Sequence, residues 1–203
     1  MAYPTTFAEA RQRLLKAAQA SATKTTTAVR HKCFISYRAT DVNYVTQFVE
    51  RFDEVFIPKV IGVSDADPFV DSADTDYIMD KIREKYLADS TVTIILVGKC
   101  TWSRKYVDWE VSSSLRNDKT NRRSGLLAME LPNRGNAPLP ARVSDNVTRD
   151  ANGVDRGYAR WHVYPSSSTT LRNLIEDAYG APSTRAHLID NTRARRLINS
   201  SCS

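Results

Sequence analysis

The chain has 203 residues, 41% of them hydrophobic and 26% charged, with a formal net charge of +6. That length buries one continuous core without metal or disulfide staples, and the apolar content excludes wholesale disorder. No apolar run nears the ~20 residues of a membrane helix, and seven Gly and eight Pro exclude collagen-like or linker-dominated chains.

In chain order, residues 1–32 are rich in Ala, Thr and Ser and carry +5, residues 33–180 carry −2, and residues 181–203 carry +3. The basicity therefore sits at the two ends. A nucleic-acid-binding fold places a basic stripe on its folded face, so solvated ends are the preferred reading over nucleic-acid contact. Arg11, Arg13 and Lys16 interrupt any secretory apolar core, which makes the cytoplasm the default location. Phe7, Ala10, Leu14 and Ala18 fall at helical spacing and predict an amphipathic helix over residues 5–20, laid on the domain or on a partner. A loose linker over 21–27 completes an amino-terminal piece, 1–30. A domain over 31–180 and a basic tail over 181–203 follow.

Residues 33–37, Cys-Phe-Ile-Ser-Tyr, form a short apolar run that reads as a strand buried on both faces. Asp41 then caps a helix with Val45, Phe48, Val49, Phe52 and Val55/Phe56 on one stripe, ended by Pro58. Residues 60–63 are a candidate second strand, followed by an acidic segment over 65–76 and an amphipathic helix traced by Tyr77, Ile78, Ile82 and Leu87. Residues 91–97 are β-branched and closed by Gly98, the clearest strand of the chain. Ser103 is the expected N-cap of a helix with Val107, Val111 and Leu115 inward. Residues 124–131 predict a fourth strand, 132–157 a long surface connection, and 158–163 a short edge strand. Leu171, Leu174, Ile175 and Ala178 mark a last helix, capped by Gly180 with Pro182 beyond it.

Strands alternating with amphipathic helices imply right-handed βαβ units. The expected fold is α/β and flavodoxin-like: about five parallel strands with helices on both faces. Ligands of such sheets sit beyond the carboxyl ends of the strands. That rule nominates the loops over 36–41, 64–76 and 98–110.

Several chemistries are excluded by motif. The chain has neither GxGxxG after its first strand nor GxxxxGK[ST]. The acidic segment fails the EF-hand order, with Pro68 and Phe69 where a flexible residue and a ligand belong. His31, His162 and His187 share no metal-ligand spacing, and no GxSxG elbow is present. Cys33, Cys100 and Cys202 are odd in number and widely spaced, so no disulfide is expected and a reducing compartment fits.

The informative block is residues 101–111, Thr-Trp-Ser-Arg-Lys-Tyr-Val-Asp-Trp-Glu-Val. On a helix, Tyr106 and Glu110 share a face beside the buried stripe of Val107, Val111 and Leu115. A carboxylate held against aromatics at a strand-end crevice can bind sugar hydroxyls or steady a developing cation. The plainer alternative is a surface ion pair between Glu110 and Arg104 or Lys105.

Residues 32–38, Lys-Cys-Phe-Ile-Ser-Tyr-Arg, with Asp41, resemble the first strand and following loop of TIR domains. Residues 90–98 and 102–110 are similar to the third strand and the glutamate-bearing helix of that family, and in particular to its TIR-like branch in the Thoeris antiphage system. The similarity spans about residues 31–180, and residues 189–193 also look familial. Tyr106-Val107 stands where many members have Trp-Cys, and the loop after the second strand is unusually acidic. The resemblance implies an enzyme that breaks the nicotinamide–ribose bond of NAD+ and makes a cyclic or conjugated ADP-ribose signal. NAD+ is then the substrate, and no cofactor or metal is needed. Glu110 matches the catalytic glutamate; Phe34, Ser36, Arg38, Trp102 and Tyr106 would line the pocket. Implied partners are other TIR surfaces, a separate effector that reads the product, and a phage-derived activator. The alternative is a non-enzymatic adaptor acting through TIR–TIR self-association.

Overall fold

The computed structural model describes residues 6–60, 84, 87–117 and 122–202. Ten regular elements are named here in chain order: α1 (Phe7–Thr23), β1 (Lys32–Tyr37), α2 (Val42–Arg51), β2 (Ile57–Val60), β3 (Val92–Val97), α3 (Lys105–Ser114), β4 (Gly125–Glu130), α4 (Ala141–Asn146), β5 (Arg160–His162) and α5 (Ser168–Thr184). The five strands form one all-parallel sheet in the order β2-β1-β3-β4-β5. The chain steps outward from β1 to β2, then crosses back to β3 on the other side. The switch point therefore lies between β1 and β3.

Strand alternation divides the core into two layers. Cys33, Ile35 and Tyr37 of β1, with Ile94 and Leu96 of β3, face one layer packed with α1, α2 and α5. Ile95 and Val97 of β3, with Leu126 and Ala128 of β4, face the other, built on Val107, Val111 and Leu115 of α3 and Val143 of α4. All six residues of β3 are buried, as a central parallel strand covered on both faces requires.

The amphipathic amino-terminal helix is present, with a capping box between Thr6 and Glu9 and with Ala10, Leu14 and Ala18 buried against the domain. The expected linker starts later than position 21: Ser21 is buried and its Oγ donates to the Asp53 and Phe56 carbonyls. The second strand is described over Ile57–Val60, starting ahead of the expected residue 60, so Pro58 lies within it. Among the described residues the strand is an edge that pairs with β1 alone, and an edge tolerates the missing N–H. Residues 61–63, the acidic segment and most of the helix expected before Leu87 lie outside the described residues.

Two further expectations change at the carboxyl end. The last helix runs through Gly180 and Pro182 to Thr184, instead of stopping at a Gly180 cap. Proline leaves the carbonyl four residues back without its helical donor. That carbonyl belongs to Ala178, and Gly125 of β4 approaches it so closely that a Cβ at 125 would lie 1.8 Å from the oxygen. The connection over 132–157 is not all surface either, since it contains α4 and the wholly buried Arg142.

Candidate active site at the end of the first strand

β1 delivers Phe34 and Ser36 to the layer that holds α3, because they alternate with Cys33, Ile35 and Tyr37 on the opposite face. Both are fully buried. Glu110, on the second turn of α3, is 3% exposed, and the Ser36 Oγ donates to its Oε2 at 2.5 Å. The surface ion pair allowed by helical spacing is not formed. Arg104 donates through Nε to Ser103 Oγ, and the Lys105 ammonium lies 4.9 Å and 5.3 Å from the ring centres of Tyr106 and Trp109. Among the described residues Glu110 has no cationic partner. Burial pushes its carboxyl up to about 8 from an ordinary 4.5, and the Ser36 hydrogen bond offsets only part of that. At neutral pH the side chain is mostly the neutral acid.

The remaining predicted residues divide. Arg38 follows β1 directly and is half-buried beside Asp41. Tyr106 is buried and meets Trp109 edge-on at 5.4 Å. Trp102 is not grouped with Glu110: it lines a separate concavity between the loops after β3 and β4. A larger cavity of about 690 Å³, beside Asp89, Arg122 and Tyr179, lies at the amino-terminal edge of the sheet, the opposite end from Ser36. Asp41 occupies the N-cap position of α2 but makes no side-chain capping bond. Its Oδ1 accepts from Asn133 Nδ2 at 2.7 Å, and burial raises its pKa despite that donor. Gly98, at the end of β3, packs closely on Asp41: a Cβ would stand 2.3 Å from Asp41 Oδ2, so the carboxylate would have to move.

Sequence reasoning missed what fixes α3. Arg142, wholly buried, donates through Nε and Nη2 to the two carboxylate oxygens of Asp108, at 3.0 Å and 3.3 Å. Its remaining donors hold the carboxyl-terminal segment, reaching Asn191 Oδ1 and the Arg193 carbonyl, each at 2.8 Å. That segment, residues 189–202, is a strap laid along α3 and not a solvated end. Asp190 and Asn146 exchange backbone-to-amide bonds, and Arg196 accepts from Trp109 Nε1 at 2.7 Å while donating its own N–H to Asp108 at 2.9 Å. Asn199 Oδ1 accepts from the Lys105 N–H, capping a helix whose own N-cap residue, Arg104, makes no side-chain cap. Cys202, at the end of the strap, is disulfide-bonded to Cys100 with a Cα separation of 5.7 Å, and only Cys33 is free. The expectation of no disulfide is corrected accordingly: residues 102 positions apart meet only because the strap returns to the loop after β3. The one available signal was the polar Asp190-Asn191-Thr192-Arg193 run, whose amides and guanidinium are the anchors.

The sequence profile described as Thoeris protein ThsB, TIR-like domain, matches residues 34–136, which run from β1 through α3 and β4. The chain belongs to this TIR-like family. It is thus a TIR protein of antiphage defence, and its five-stranded parallel sheet is the flavodoxin-like architecture expected of it. The matched span includes Ser36 and Glu110 but ends before Arg142 and the strap. No curated protein matches the chain. None of the described helices of this TIR-like protein is long and apolar enough to cross a membrane.

Proposed function

We propose that this TIR-like protein consumes NAD+, breaking the bond between nicotinamide and ribose and passing the ADP-ribose on as a defence signal, with Glu110 as the catalytic residue. The observation that supports this reading is a buried glutamate beside the sheet's switch point, hydrogen-bonded to Ser36 and without a cationic partner among the described residues. A structural carboxylate at such a depth is normally neutralised by a basic partner; this one is left to meet positive charge from outside.

NAD+ brings that charge as a ribosyl-pyridinium. Its approach lowers the carboxyl's pKa, and the proton passes to water, so that the acid becomes a carboxylate as the substrate docks. The C1′–N bond then breaks with its electron pair going to the ring nitrogen, and neutral nicotinamide departs. The positive charge left on the ribose is an oxocarbenium-like centre, which the Glu110 carboxylate stabilises at low local dielectric. Water, or a nucleophilic atom of the ADP-ribose itself, forms the new C1′ bond and loses a proton. In this reading Ser36 orients the carboxyl, the buried Phe34 keeps its surroundings apolar, and Arg38, directly after β1, is the guanidinium for the diphosphate charge. NAD+ is substrate here, so no redox step is involved.

Nicotinamide release from NAD+ tests the reading, with the protein assayed alone and with lysate of phage-infected cells. Replacing Glu110 with Ala should lower the rate by at least about a hundredfold, the scale of losing one charge-stabilising group. Turnover that is unchanged in a folded Glu110→Ala protein would remove Glu110 from the chemistry and favour a TIR that acts by assembly alone.

A further inference from the structure

A second concavity, of about 430 Å³, opens at the carboxyl-terminal edge of the sheet. Lys99 and Trp102 come to it from the loop after β3, Asn133 and Arg134 from the loop after β4, and Ser201 and Cys202 from the strap. It includes none of Phe34, Ser36 and Glu110, and it lies between β3 and β4 rather than at the β1/β3 switch point.

Its polar groups are of matched kinds. The Lys99 ammonium is exposed and has no ion-pair partner among the described residues. Arg134 gives Nη1 to Glu130 at 2.8 Å and stacks 5.1 Å from the Trp161 ring centre, which leaves its Nε buried with no acceptor. Gly135 turns the chain at φ 57°, and neither its N–H nor that of Asn136 donates to any described residue. Consecutive free N–H groups at such a turn form an anion-binding concavity. Asn133 completes the lining, its Nδ2 committed to Asp41 at 2.7 Å. Trp102 adds an aromatic wall.

The exposed Lys99 ammonium and the free N–H groups ask for a phosphate, and the indole face of Trp102 asks for a planar ring. A nucleoside monophosphate carries both at this size. We propose that this cavity is a binding site for a nucleoside monophosphate, separate from the Glu110 site, with the disulfide-held end of the strap as its third wall. The proposal does not rest on NAD+ cleavage, because its binding groups are distinct from those of the proposed reaction.

Titration calorimetry with AMP, on the full wild-type chain and on the full-length Glu110→Gln protein, tests it. Saturable binding of equal strength is expected for both. Trp102→Ala should weaken it about ten- to a hundredfold, the worth of one base stack. Lys99→Glu, at an exposed position that leaves the fold intact, should weaken it at least about tenfold through lost phosphate attraction. Adenosine and inorganic phosphate, each carrying half of the ligand, should each bind at least about tenfold less tightly than AMP. Absence of saturable AMP binding up to about 5 mM overturns the proposal. So does AMP binding that Glu110→Gln abolishes, which assigns it to the other site, or binding that both Lys99→Glu and Trp102→Ala leave untouched. Phosphate binding as tight as AMP overturns it as well, since the cavity then recognises no base.

Discussion

At the scale of single residues, the pairing of Ser36 with Glu110 sets how this molecule responds to pH. The Glu110 carboxyl, near 8 in the folded protein and 4.5 as an ordinary side chain, favours the neutral form when folded. Below about 4.5 it is protonated in both states, and its contribution to stability is fully present. As pH rises from there through 8 the unfolded chain ionises freely while the folded one does not, so stability is lost across that window. Glu110→Gln carries no such penalty. Thermal unfolding of the two proteins should therefore coincide in slope near pH 4 and diverge in favour of Glu110→Gln toward pH 9. The limiting difference is on the order of 5 kcal/mol. A gap between the two that stays constant from pH 5 to pH 9 would mean that Glu110 is solvated or paired.

At the scale of elements, the strap governs α3. Arg142 has its Nε, Nη1 and Nη2 satisfied by Asp108, Asn191 and the Arg193 carbonyl, so losing it strands a buried carboxylate as well as freeing the strap. Arg142→Ala should cost about 3–5 kcal/mol, the scale of breaking a buried pair. Hydrogen exchange should rise along residues 189–202 and in the first turn of α3. Loss of stability without faster exchange in the strap would show that Arg142 serves only α3 and α4. Breaking the Cys100–Cys202 bond by Cys202→Ser should cost about 2–5 kcal/mol for so long a closed loop, read from denaturant midpoints under oxidising conditions. An identical midpoint would indicate that the polar anchors alone define the strap. Beyond the polar run over 190–193, none of this was visible in the sequence. A run of Arg and Asn after the last helix has the composition of a solvated end, and only Asp108 and Arg142, separated by 34 positions, turn it into a clasp.

At the scale of the whole molecule, the three inner strands β1, β3 and β4 were readable because they are buried on both faces and therefore appear as nearly unbroken apolar runs, as in residues 92–97. The helix stripes of Val45, Phe48 and Val49 and of Val107, Val111 and Leu115 were readable for the same reason: burial writes a period into the chain. What escaped were boundaries set by partners distant in sequence. Pro58 belongs to a strand because β2 is an edge, and Pro182 belongs to a helix because Gly125 packs on the carbonyl it leaves unbonded. Glu110 was picked out by its family block and its place on the helix, whereas its partner Ser36 is 74 positions away and only the parallel fold brings the two together. The most direct test of Glu110 as the group that answers the substrate's charge is the pH profile of nicotinamide release. For the activated protein kcat/KM should rise with pH and reach half its maximum near 8, following ionisation of the free enzyme, while kcat reaches its midpoint at lower pH because bound NAD+ draws the proton out early. Rates that are flat from pH 6 to pH 9 in wild type, and no lower in Glu110→Gln, would contradict it.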